Sequence, residues 1–180
     1  MLFRSGKISL AGHLNCTGDF GGGNLPVYIV GNSSKYKSIY SGCKFPQIKV
    51  DSASVNMAED SSSTQDSIFQ SLAVTEGTFR APSPERNLII SSNNLDNNTV
   101  VADLNNGGFA HNNGKLIFQT ADDSKNYKIN LPTLKSVQFD NSLGKTSFYD
   151  IQNIFSVDIF HLSGASNMPL RGQGIAVTAN

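Results

Sequence analysis

Tryptophan is absent from this chain, and glutamate and histidine occur only three times each. Imidazole and glutamate are therefore scarce as general bases, and no indole is present to stack on a sugar ring. Cysteine is nearly absent too. Cys16 and Cys43 are the only two, too few for a disulfide framework, and they read as two small thiols. No apolar run approaches the roughly 18–20 residues that a membrane span needs. The first residues, Met1 to Leu10, lack an apolar core of signal-peptide length, so synthesis in the cytoplasm without a signal peptide is expected. An excess of charge is missing as well: fourteen Lys plus Arg balance fourteen Asp plus Glu. Such a chain has no net field to attract nucleic acid or an anionic membrane, and it repels its own copies weakly.

What is abundant is uncharged and polar: 23 Ser, 19 Asn, 16 Gly and 9 Thr. Asn and Gly tolerate positive φ, and Ser, Thr and Asn bond locally to the backbone, which suits turns and exposed strands better than long helices. The expected fold is all-β, of short, mainly antiparallel strands in a sandwich or barrel-like core with at most one or two short helices. Residues 1–12 read as an N-terminal β arm and 13–180 as a single β-rich domain, with 51–67 a long polar loop or linker.

Strand patterns occur at 2–10, Leu25–Val30, Tyr36–Tyr40, Phe45–Val50, Ala73–Arg80, Leu88–Ile90 and Thr99–Leu104. Ser63 to Leu72 carries an N-cap signal, with Ile68, Phe69 and Leu72 at helical spacing, and predicts one short helix. Lys115–Thr120 and Asn126–Leu131 alternate in polarity across the short Ala121–Lys125 loop and predict an antiparallel hairpin. Toward the C-terminus a spacing recurs: Leu131, Leu134, Val137 and Phe139 are echoed twenty residues later by Ile151, Ile154, Val157 and Ile159. Such a repeat implies short strands after turns, with apolar residues facing one stack.

Motifs of chemistry are weak. The loop Cys16 to Asn24 is rich in glycine but lacks the Gly-Lys-Ser/Thr ending of a phosphate-binding loop. His13, Cys16, Cys43, His111 and His161 do not form the two close pairs of a structural zinc site, and Asp122-Asp123 has no calcium-loop frame. No serine lies in a nucleophile motif. The reading is of a protein that is not an enzyme, with no cofactor and no metal.

Two resemblances bear on role. The segment Phe148, Ile151, Ile154, Val157, Ile159, within residues 131–162, resembles the leucine-rich repeat of the BspA type, which implies adhesion through a solenoid surface. In overall style, neutral, Trp-free and rich in Asn, Ser and Gly, the chain is similar to bacteriophage virion components of the tail, neck, fibre or capsid-decorating kind. That likeness implies a virion structural subunit acting by protein–protein contact, with itself and other virion proteins as partners. Leu2, Phe3, Ile8 and Leu10 of the arm are the interface candidates. The alternative is an adhesin or a module binding a host receptor or glycan, with Gln138, Asp140, Asp158 and Phe160 exposed on a strand face.

Overall fold

The computed structural model describes residues 7–9, 18–19, 26–31, 36–40, 43–58, 66–119, 122–164 and 170–172. Among the described residues the chain forms seventeen strands and no helix. β1 (Lys7–Ser9), β2 (Gly18–Asp19), β3 (Val27–Val30) and β4 (Tyr36–Tyr40) come first, followed by β5 (Cys43–Asp51) and β6 (Ala53–Ala58). The next turn holds β7 (Ser67–Val74) and β8 (Gly77–Arg80), and the one after holds β9 (Asn87–Ser91), β10 (Val100–Asp103) and β11 (Gly108–Ala110). Three further pairs complete the order: β12 (Lys115–Gln119) and β13 (Asn126–Asn130), β14 (Leu134–Asn141) and β15 (Phe148–Ile151), β16 (Val157–Gly164) and β17 (Leu170–Gly172).

Every strand pairs in parallel with a strand one turn away, which makes the molecule a β-solenoid of about five turns. The first face stacks β2, β5, β7, β9, β12, β14 and β16. The second stacks β1, β3, β5, β7, β10, β13, β15 and β17. β5 and β7 belong to both because each bends around the corner between them. A third face, β4–β6–β8–β11, accompanies only the earlier turns. From β12 onward the chain passes from Asn130 to Leu134 with no strand on that side.

Parallel rungs put like positions on top of one another, and the core is the result. On the first face Phe45, Phe69, Ile90, Phe118 and Phe139 form one buried column. Phe45 and Phe69 stack at 4.7 Å, and Phe118 and Phe139 at 5.0 Å. Each such pair contributes about 0.5–1.5 kcal/mol beyond the area it buries. The second face supplies Ile48, Leu72, Ala102, Ile129 and Ile151, in register and buried.

Corners need backbone partners that strands do not supply, and the polar residues provide them. The Asn97 carboxamide oxygen accepts the Asn126 N–H at 2.7 Å. Asn153 accepts the Leu131 N–H at 2.8 Å and donates back to its carbonyl at 2.7 Å. Asp66 accepts both the backbone and the side-chain N–H of Asn87 at 2.8 and 2.9 Å. Asn94, Asn98, Asn112 and Asn113 take positive φ in turns. Much of the Asn, Asp and Ser content thus fastens one rung to the next.

Four expectations are corrected. The pairing is parallel, so neither an antiparallel sandwich nor a barrel forms. Lys115–Thr120 and Asn126–Leu131 do not make a hairpin: β12 pairs with β9 and β14, while β13 pairs with β10 and β15. The helix expected over 63–72 is strand β7 from Ser67 onward. Within the expected linker 51–67, Ala53–Ala58 is strand β6 of the third face. The misleading helical signal has a physical source. Phe69 faces inward on the first face and Leu72 faces inward on the second, and the bend at Ser71 turns a step of two into a step of three.

Candidate functional site

The last described rung of the first face, β16, is only partly covered by other described residues. In β16, Phe160 lies in register with Val137, and Leu162 with Phe139. Both partners are fully buried inner residues, so Phe160 and Leu162 continue the inward columns. Yet Leu162 is 50% exposed, Ile159 is 45% exposed, and Phe160 is half-buried. Among the described residues no strand stacks beyond β16, so no described strand pairs with that edge. Leu143 and Ile154, in the turns flanking β15, are exposed as well. Among the described residues, five large apolar side chains are exposed, four of them between 143 and 162 and the fifth at Val100.

The outer side of the first face carries a polar network near the same end. Lys115 Nζ donates to Gln138 Oε1 at 3.3 Å, and Gln138 Nε2 donates to Ser163 Oγ at 2.9 Å. The Ser163 hydroxyl donates to Asp140 at 3.0 Å. The Ser142 N–H and hydroxyl and the Gln119 amide also donate to Asp140. Burial pushes the Asp140 carboxyl up, but the Ser142 N–H, the Ser163 and Ser142 hydroxyls and Gln119 outweigh it and hold the group below the usual aspartate value.

A shallow groove with room for little more than one water opens where the third face stops. Leu88, Phe109, Leu116 and Leu134 line it, and Arg86, His111 and Lys115 stand around it. His111 Nδ1 accepts the Asn113 N–H at 2.9 Å, so the proton of the neutral ring sits on Nε2.

The arm candidates fare unevenly. Ile8 lies in β1, in register with Ile29 of β3, so this part of the arm forms a rung of the second face. Leu2, Phe3 and Leu10 fall outside the described residues. Of the adhesin candidates, Gln138 and Asp140 face outward on β14, and exposed Asp158 is ion-paired with Lys135 at 2.7 Å. Phe160 belongs to the inner column instead. Asp122 and Asp123 sit at a corner of the solenoid and not at a hairpin tip: Asp122 accepts the Tyr127 hydroxyl at 2.8 Å, and Asp123 pairs with Lys145 at 3.0 Å. Among the described residues no cluster of three His, Cys, Asp or Glu is placed to hold a metal ion. No described helix is long and apolar enough to cross a membrane.

The open β16 rung was missed from sequence. Val157, Ile159 and Leu162 have the same apolar pattern as strands that are covered, and only the register shows that nothing described covers them.

Comparisons with known proteins find no family model, no curated protein and no solved structure that matches this chain. The class defined by the fold is the parallel β-solenoid, an architecture that hosts many roles.

Proposed function

We propose that this β-solenoid is a structural subunit of a virion, of the phage tail, neck, fibre or capsid-decorating kind, and that it acts by protein–protein contact. One observation carries the reading: the apolar inner columns run out to solvent at β16, beside a strand edge that no other described strand pairs. An exposed edge with an apolar face takes up another strand, through backbone bonds and side-chain pockets. Balanced charge lets copies and partners approach at high local density. Synthesis would take place in the host cytoplasm, and the working location would be the particle.

The test is direct. Particles purified from a culture that makes the chain should contain it by mass spectrometry, in stoichiometric amounts. Ile159→Lys and Leu162→Lys should lower its incorporation while the soluble variant stays folded. A chain missing from the particles, or variants that enter as well as wild type, would end the reading.

The outer network from Lys115 through Gln138 and Ser163 to Asp140 favours a second reading, an adhesin or a receptor- or glycan-binding module like the BspA-type repeats. Its donors and acceptors are arrayed on a regular strand lattice, as recognition of hydroxyl-rich ligands requires. Glycan-array binding that is lost in Gln138→Ala would support it, and a silent array would set it aside.

A further inference from the structure

The outer side of the first face holds a second unusual feature, away from β16. Ile68, Ile89 and Ile117 stand in register on β7, β9 and β12. Their strand neighbours Phe69, Leu88, Ile90, Leu116 and Phe118 are buried in the core, so the three isoleucines point outward as a stripe. Along one side of the stripe lie Asp66, Asn87 and Lys115, and along the other Ser91 and Gln119. Among the described residues Asp66 bonds to the amide groups of Asn87 and Lys115 to the amide oxygen of Gln138, so neither is ion-paired within the copy.

We infer that this face is a two-fold contact between two copies of the chain, centred on Ile89. Consider two such faces packed together about an axis that runs along the strands. Each rung above the centre then meets the rung equally far below it in the other copy. Ile89 meets Ile89, and Ile68 meets Ile117. Asp66 meets Lys115, and by symmetry Lys115 meets Asp66. Around this apolar centre the remaining neighbours, Asn87, Ser91 and Gln119, are neutral hydrogen-bonding groups. The other face-to-face arrangement, with its axis along the solenoid, pairs Lys44 with Lys44 and leaves both Asp66 and Lys115 without an opposite charge. Charge complementarity therefore selects the first arrangement.

The size of the face sets the strength. Five rungs, β5 to β14, about 4.8 Å apart and with five residues at about 3.3 Å each, give roughly 400 Å² per copy. The total of about 800 Å² is below the size of a stable interface, so the dimer is weak, transient and concentration-dependent. This contact does not depend on the virion role, and it uses a surface separate from β16.

Sedimentation velocity over a concentration series tests it. The wild type should move from monomer to dimer as concentration rises. Ile89→Lys should abolish the dimer. Asp66→Lys alone and Lys115→Asp alone should each weaken it by at least about tenfold, because each sets like charges face to face. Mixing the two single variants should restore dimers, since each then supplies the charge the other needs. Circular dichroism checks that each variant is folded; should Asp66→Lys unfold through loss of its bonds to Asn87, Ile89→Lys and Lys115→Asp must both weaken association. A wild type that stays monomeric, a mixture that associates no better than its parts, or an Ile89→Lys protein that dimerises normally overturns the inference. Ile159→Lys and Leu162→Lys should leave this dimer intact, so it and the virion reading fail separately.

Discussion

Ser92 and Tyr149, 57 residues apart in the chain, share a hydrogen bond of 3.0 Å inside the solenoid, where both are fully buried. Ser92 closes β9 and Tyr149 lies in β15 two turns on, so the bond ties together rungs that are not neighbours in the ladder. The Tyr149 ring also rests against Phe118, Phe139 and Tyr127. A phenol in an apolar stack needs a partner for its hydroxyl, and a serine at the end of a strand supplies it with little bulk.

Tyr149→Phe keeps the ring contacts and removes the buried bond to Ser92, which should cost about 1 kcal/mol. Ser92→Ala should cost a similar amount, and the double variant less than the two together, because the two residues share one interaction. Urea unfolding of the four proteins measures the cycle, and strict additivity would show that the bond contributes nothing of its own.

Tyr127 predicts an alkaline effect. Burial, reinforced by its hydrogen bond to Asp122 and the charge of that group, raises its pKa well above the ordinary tyrosine value of about 10. The folded chain therefore keeps the proton at a pH where the unfolded chain has begun to lose it. The stability this gives is complete below about pH 10 and declines as the pH climbs from there toward the folded value. Tyr127→Phe should flatten that decline, and an unchanged slope between pH 9 and 11 would count against the assignment.

Asp140 predicts the opposite limb. Its folded pKa is depressed, so its contribution is present above the ordinary aspartate value of about 3.9 and is lost as the pH falls through the lower, folded one. Asp140→Asn should be less stable than wild type at neutral pH, and the gap should close in acid. Thermal melts at pH 7 and pH 2.5 compare the two.

Two glycines separate strain from crowding. Gly77 has φ +94°, and a Cβ there would lie 2.1 Å from the Ala53 carbonyl oxygen of the rung below, so Gly77→Ala should cost about 3 kcal/mol or more. Gly144 has φ +64° with nothing within 4 Å, so Gly144→Ala should cost only about 1 kcal/mol. Equal losses in the two variants would mean that the corner at Gly77 opens easily.

Strand identity was largely legible in the sequence, while strand pairing was not. Leu116 and Phe118, or Tyr127 and Ile129, alternate with polar neighbours, and alternation reports one buried face whatever the partner. The short loop between β12 and β13 suggested a hairpin, but here a loop of that length turns a corner between two faces. The repeat of twenty residues also misled: it aligns Val137 with Val157, whereas the ladder pairs Leu134 with Val157 and Val137 with Phe160. Steps of three were informative in another way. Phe45 to Ile48 and Phe69 to Leu72 each cross the bend between the two faces, so a three in a run of twos marks a corner there. The Ile68–Ile89–Ile117 stripe was hidden because its members stand 21 and 28 positions apart, and unequal corner loops break any fixed period.

Those unequal corners have an evolutionary consequence. Residues inserted at 92–99 or 104–107 lengthen a loop without shifting a ladder, whereas one residue added within β9 would turn every side chain after it inside out. Variation should therefore collect along the vertical edges of the prism, where new recognition loops can be grafted while the walls stay fixed.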